Sequence, residues 1–367
     1  MSPPGTGRLP WIDTLKAIGV TLVILGHTVG VPPLALQVIF ASHIPLFFWM
    51  SGLVGTDKVR ELPWWLYLRD RARRRLIPYL AFAIASYLLW VMLLRYVGTR
   101  QAATIPWYIP LLGILYGSDT RDFLAPNVVL WFFPCLFVTE LFFACLVRLP
   151  SRLILGLALV VSSLLGFVAP ALLPWRLPWG LELALTAVVF YGVGYLCRPY
   201  LSSLSLSGSK RWLALLVSLL IYVAGAWYNR PVAFIIGNYG GNYGAFYVAA
   251  FAGIMFWSLG AQILQGVRLL QVIGQQTLVL FSLHLLVFPV FTGFFLYGLG
   301  LPPDFREQSA LYAVLYTVLA LAVLTPVSLW LSKHCPILVG QGPQPRQREG
   351  PPVLAAGDPS PERQRGV

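Results

Sequence analysis

Long apolar runs, separated by short polar, basic or proline-rich breaks, dominate the chain. A helix needs about 20 mostly apolar residues to cross a bilayer. Ten runs meet that length: Trp11–Gly30, Leu36–Gly55, Ile77–Val97, Val128–Val147, Leu153–Leu173, Leu181–Cys197, Trp212–Tyr228, Ala245–Leu264, Leu278–Leu299 and Ala310–Leu331. Two apolar pieces do not fit. Ile105–Tyr116 is short and broken by Pro106 and Pro110, which predicts an interfacial or re-entrant segment, and Val232–Ile236 is too brief to assign. The pattern predicts an all-α fold, a polytopic membrane helix bundle of about ten transmembrane helices.

Composition agrees. The chain is 58% hydrophobic and only 11% charged, with a mean hydropathy of +0.74, whereas soluble domains carry about 25% charged residues. That excludes an ordinary water-soluble enzyme and a disordered regulator. The formal charge of +13 could mark a nucleic-acid binder, but in so apolar a chain it is read as the Lys/Arg excess of cytoplasmic loops. With the amino terminus inside, the outer loops hold only Arg95, Arg100, Arg121, Arg176, Arg230 and Arg306, and Lys16 lies within a span. Both termini are therefore expected in the cytoplasm. Residues 1–10 form a cytoplasmic N-terminus and 11–335 the membrane domain. Residues 336–367, rich in Pro, Gly, Gln and Arg, are expected to be a disordered cytoplasmic tail. Cys135, Cys145, Cys197 and Cys335 are scattered without a CxxC, giving neither a disulfide framework nor a zinc site. The first run already carries Asp13 and Lys16, unlike a cleavable signal peptide. No nucleotide-binding glycine motif occurs.

Ionisable side chains inside spans are costly and are functional candidates by default. The first run has Asp13, Lys16 and His27. At 100° per residue Lys16 and His27 share one stripe, about 16 Å apart along the axis, and Asp13 at i−3 can neutralise the lysine. The alternative is that Asp13 and Lys16 are interfacial anchors and that His27 caps a helix end. The next run brings His43 across a short hairpin to the same depth. Imidazole, with an ordinary pKa of about 6.5, suits a general base acting on an alcohol; His43 is either its partner or a structural hydrogen bond. The run Arg69–Arg75, which includes Arg73, Arg74 and Arg75, reads first as an anchor to anionic lipid. Asn127 and Trp131 open the fourth run with a hydrogen-bonding amide and a stacking ring, and Trp131 is equally read as an interfacial belt residue. Glu140, Glu182 and His284 each need a buried partner or a ligand.

The string Trp11-Ile12-Asp13-Thr14-Leu15-Lys16-Ala17-Ile18-Gly19, then Gly26-His27, then His43-Ile44-Pro45-Leu46-Phe47-Phe48 with Ser51-Gly52, resembles the acyltransferase-3 family, closest to its fucose 4-O-acetylase-like branch. That family has a basic residue, ten residues and a histidine in its first helix; Lys16 and His27 match, with lysine where many members have arginine. Arg73-Arg74-Arg75-Leu76-Ile77-Pro78-Tyr79, Leu130–Phe137, Asn242–Tyr247 and Ile273–Leu278 leading to His284 are similar in the same order. The resemblance implies an integral protein of a bacterial cytoplasmic membrane, an O-acetyltransferase moving an acetyl group from acetyl-CoA (acyl-CoA) to a carbohydrate or cell-envelope glycan. His27 and His43 are then the catalytic candidates. Asp13, Lys16, Arg73, Arg74 and Arg75 would serve the donor, and Asn127, Trp131, Glu140 and His284 the acceptor. Membrane lipid is an expected partner; nucleic acid and a metal are not. The rival reading is a transporter or flippase for a glycan without covalent chemistry.

Overall fold

The computed structural model describes residues 9–55, 58–97, 103–200 and 208–340. Among them there is no β-strand, only the isolated bridge Ala233↔Asn238. Helices α1 (Pro10–Gly26) and α2 (Pro33–Leu53) both start on proline, whose missing N–H has no helical partner at that position in any case. Then come α3 (Trp64–Leu89), extended by a π turn to Leu94, and the short α4 (Tyr108–Tyr116). Next are α5 (Phe132–Leu146), entered through the 3-10 turn Val128–Trp131, α6 (Arg152–Leu172), α7 (Leu181–Cys197) and α8 (Gly208–Asn229). The side chain of Asn242 caps α9 (Tyr243–Leu264), accepting from the Ala245 N–H at 2.9 Å. The chain ends with α10 (Arg268–Gln275), α11 (Thr277–Gly293) and α12 (Ala310–His334).

Nine described segments are long and apolar enough to span a membrane, running through α2, α3, α5, α6, α7, α8, α9, α11 and α12. Helix α1, at 17 residues, sits at the short end of the spanning range and is not among these nine. It is the enclosed centre of the bundle, packed against α2, α9, α10, α11 and α12. By contrast α6 and α8 present Leu153, Leu157, Val160, Leu164 and Trp212, Leu216, Leu220 outward, the pattern of helices facing lipid. Both doubtful pieces are now placed. The 105–116 stretch is the nine-residue α4, and 232–236 is a 3-10 turn, Phe234–Ile236, closed by the Ala233↔Asn238 bridge.

The third span starts earlier than its apolar run predicts. Pro63 precedes a helix that begins at Trp64, so the arginine run lies on α3 and not in a loop. Two of its guanidinium groups lie over rings, Arg69 over Trp65 at 5.5 Å and Arg71 over Tyr67 at 5.2 Å, and Arg148, just after α5, lies over Trp64 at 5.5 Å. Hydropathy alone misses such a segment because aromatic rings cover the cations. The expected tail lies outside the described residues from 341 onward, as does the N-terminus up to residue 8.

Without a hydrophobic drive between helices in lipid, close approach at small residues does much of the packing. A Cβ on Gly52 of α2 would stand 1.9 Å from the Tyr191 carbonyl oxygen of α7, and one on Gly194 would stand 2.1 Å from that of Trp49. The two helices thus meet backbone to backbone. Gly274 of α10 meets the Asp13 carbonyl of α1 as closely, at 1.8 Å. Gly52→Ala is expected to separate α2 from α7 at a cost of about 1–3 kcal/mol, lowering the thermal unfolding midpoint in detergent. Gly156→Ala on α6, where a Cβ meets nothing within 4 Å, is expected to leave the midpoint unchanged or higher.

Candidate active site

Two cavities lie end to end along α1. The first, about 280 Å³, is walled by α1, α2, α3, α5 and the α10–α11 corner, and its polar lining includes Lys16, Ser51, Arg75, Gln275 and Thr277. Lys16 Nζ lies 3.3 Å from Asp13 Oδ1; Asp13 is buried while the lysine side chain keeps 33% of its exposure. The i, i+3 pair read from the sequence is therefore formed, with the cation turned to the opening. Gln275 and Thr277 bring the N-terminus of the 17-residue α11 to the same cavity. The Val279 and Leu280 N–H groups donate to the Gln276 carbonyl at the cap, and this first turn carries the positive end of the helix dipole. Lys16, Arg75 and this helix end make the chamber suited to an anionic group.

Arg75 is held there by Glu140. The fully buried carboxylate accepts two hydrogen bonds from it, Nη2 to Oε1 at 2.8 Å and Nε to Oε2 at 3.2 Å, while Arg71 Nη1 reaches Oε1 at 3.5 Å. Glu140 therefore faces neither cavity; it fixes the arginine that does. Arg74 points outward to Asp70 at 2.9 Å, and Arg73 is half-buried without lining a cavity. Arg71 was not singled out from the sequence. Its spacing of four from Arg75, which puts both on one helix face, was the available signal.

The second cavity, about 150 Å³, is lined by His27, Phe40, His43, Trp131 and the turn Val232–Ile235 among others. His27 is the residue just beyond α1, so it both ends the helix and faces the chamber. It is half-buried, whereas His43 and His284 are fully enclosed. In each ring Nδ1 meets a backbone carbonyl: Val23 at 2.8 Å, Ile39 at 2.9 Å and Phe281 at 2.9 Å. A carbonyl only accepts, so Nδ1 carries the proton and Nε2 of the neutral ring keeps its lone pair. His284 lies outside the cavity, its ring edge against His27 at 5.3 Å between centroids, with Nε2 lacking a hydrogen-bond partner. Asn127 also lies behind the wall: its Nδ2 donates to Ser86 Oγ at 3.0 Å and to the Ser282 carbonyl at 2.8 Å. Trp131 does reach the chamber, stacked on Phe234 at 6.1 Å.

Phe281 belongs to both linings. It sits among Phe47 at 5.9 Å, Phe132 at 5.2 Å and Phe133 at 5.7 Å, forming an aromatic septum between the cationic and the histidine chamber. Nothing in the hydropathy pattern distinguishes this phenylalanine from its neighbours. Among the described residues no group of three or more His, Cys, Asp and Glu is placed to hold a metal ion.

Residues 9–331 match the model of the acyltransferase-3 family, described as an acyltransferase domain. No curated protein and no solved structure matches the chain.

The Glu140 arrangement makes a direct prediction. Glu140→Gln leaves two guanidinium groups facing a neutral amide inside the bundle, and breaking a buried pair costs about 3–5 kcal/mol. The thermal midpoint in detergent should fall by several degrees. Arg75→Lys, which keeps the charge but loses the two-pronged contact, should fall in between.

Proposed function

Because the chain belongs to the acyltransferase-3 family and is a membrane acyltransferase, we propose that it transfers an acetyl group from acetyl-CoA to a carbohydrate hydroxyl, with His27 as general base. The observation that carries this reading is the shared septum: a cationic chamber and a histidine chamber on one helix, one side chain apart. The phosphates of the donor suit Lys16, Arg75 and the N-terminus of α11, with Asp13 and Glu140 steadying the two cations. The thioester then reaches toward Phe281. The charge bias of the loops supports an orientation with the lysine chamber on the cytoplasmic side, where acyl-CoA is made, and both termini on that side.

The step balances without any further reactant. The acceptor hydroxyl oxygen attacks the thioester carbonyl, the C–S bond breaks, and an ester and CoA thiol result. His27 Nε2 takes the hydroxyl proton as the bond forms and returns it to the departing sulfur. His27 is favoured over His43 because it is the less enclosed ring and follows the Lys16 stripe; His43 and His284 flank it. General base catalysis contributes about 10²–10⁴-fold. Positioning and carbonyl polarisation supply the remainder.

Purified protein given labelled acetyl-CoA and a panel of glycosides tests the reading. His27→Ala should lower kcat by about 10²–10⁴-fold while the protein still folds and binds donor. Near-normal turnover would remove His27 from the mechanism, and a protein that moves glycans without consuming acetyl-CoA would be a transporter.

Lys16 tests the donor side separately. Lys16→Ala should raise the KM for acetyl-CoA about tenfold, the scale of one charged hydrogen bond, with the acceptor KM unmoved. Lys16→Arg should be tolerated. If Asp13→Asn combined with Lys16→Ala restores normal donor KM, the lysine only neutralises Asp13.

A further inference from the structure

The histidine chamber is too small for what the reaction must bring to it. At about 150 Å³ it falls below the range of about 300–1,000 Å³ of small-molecule sites. It admits a reacting group, not a sugar residue. At the same end of the bundle a separate cavity of about 330 Å³ is lined by Asp119, Thr120, Trp175, Arg176 and Glu182. Only one turn of chain separates the two. Val232–Ile235 line the histidine chamber, the next carbonyl, of Ile236, accepts a hydrogen bond from Arg176, and a Cβ on Gly237 would stand 2.6 Å from Pro170 Cγ.

Unlike the apolar cavities, this one is built from hydrogen-bonding groups. Glu182 is only 2% exposed. Its Oε2 accepts from the Leu177 N–H at 3.2 Å, while Oε1 has no hydrogen bond, only the Arg176 guanidinium at 3.6 Å. Asp119 makes no ion pair among the described residues. Burial, and then the neighbouring Asp122, raise its pKa above the ordinary carboxylate value. Trp175 has the Arg121 guanidinium over one ring face at 5.2 Å. The guanidinium of Arg176 within the cavity opposes a metal cation, and the two carboxylates oppose an anion. What remains is a neutral ligand with several hydroxyl groups, able to donate to Asp119 and Glu182, accept from Arg176 and lie on an aromatic ring.

We propose that the cavity of Asp119, Thr120, Trp175, Arg176 and Glu182 is a carbohydrate subsite that holds the body of the acceptor beside the histidine chamber. The assignment deepens the O-acyltransferase reading and rests on it for the reacting hydroxyl, which passes the 232–237 turn; binding itself is measured apart from turnover.

The full chain in detergent is offered methyl α-glycosides of glucose, galactose, mannose and fucose. Binding is followed by saturation-transfer NMR and transfer by labelled acetyl-CoA. At least one glycoside should bind, and Asp119→Asn and Thr120→Val should each raise its acceptor KM about tenfold, leaving the acetyl-CoA KM and the unfolding midpoint unmoved. Glu182→Gln should do the same with some loss of stability. Transfer with unaltered acceptor KM in Asp119→Asn and Thr120→Val overturns the subsite and spares the reaction. Binding that Asp119→Asn abolishes, in a protein that transfers nothing, supports the subsite and overturns the reaction. If no glycoside binds, the subsite is wrong.

Discussion

Hydrocarbon offers no partner to a charge or a ring nitrogen, and that governs the arrangement of the bundle. Helix α1 carries Asp13 and Lys16 near one end and His27 at the other, so it cannot face lipid. The chain encloses it with α2, α9, α10, α11 and α12, and the enclosure is tight where Gly274 lets α10 meet the Asp13 carbonyl. The same contact sets the start of α11 beside Lys16. Packing forced by solvation thus also assembles an electropositive pocket. The cost of burying the charges and the making of the site are one event.

Glu140 extends the logic to a second helix pair. A carboxylate at the middle of α5 is tolerable only against cations, and α3 supplies two, Arg71 and Arg75. The pair joins α3 to α5 and leaves the Arg75 side chain partly open to the cationic chamber. Residues in unusual backbone conformations cluster elsewhere. The non-glycine residues with positive φ among the described residues, Arg121, Asp122, Trp179 and Arg230, all lie outside the long helices, Trp179 in the 3-10 turn Pro178–Gly180. Strain of this kind persists where surrounding contacts over-determine the chain.

Much of the fold was legible because spanning length is a strong one-dimensional signal. The Asp13–Lys16 pair was equally legible, being local to one helix turn. What escaped was three-dimensional. The early start of the third span escaped because hydropathy weighs Arg71 and Arg75 as charges, with no account of the ring beneath Arg71 or the carboxylate facing both. For Glu140 a buried partner or a ligand stayed open, since a sequence shows a buried polar residue but not the arginine sixty-five positions away that pairs with it; Asn127 was read toward a ligand, whereas its Nδ2 is taken by Ser86 and the Ser282 carbonyl. The septum was invisible for a different reason: Phe281 is one of 22 phenylalanines, and only its position between two cavities sets it apart.

That septum has an electrical meaning. A path through a membrane protein with lysine and arginine at one end and histidine at the other is, if filled with water, a conductor of protons. Each elementary charge crossing a potential of 100 mV dissipates about 2.3 kcal/mol. The rings of Phe47, Phe132, Phe133 and Phe281 stand between the two chambers as apolar matter, which opposes such a water column. In the proposed transfer, the reacting thioester and hydroxyl meet only by displacing these rings with their own bulk, so the path fills with substrate and not with water.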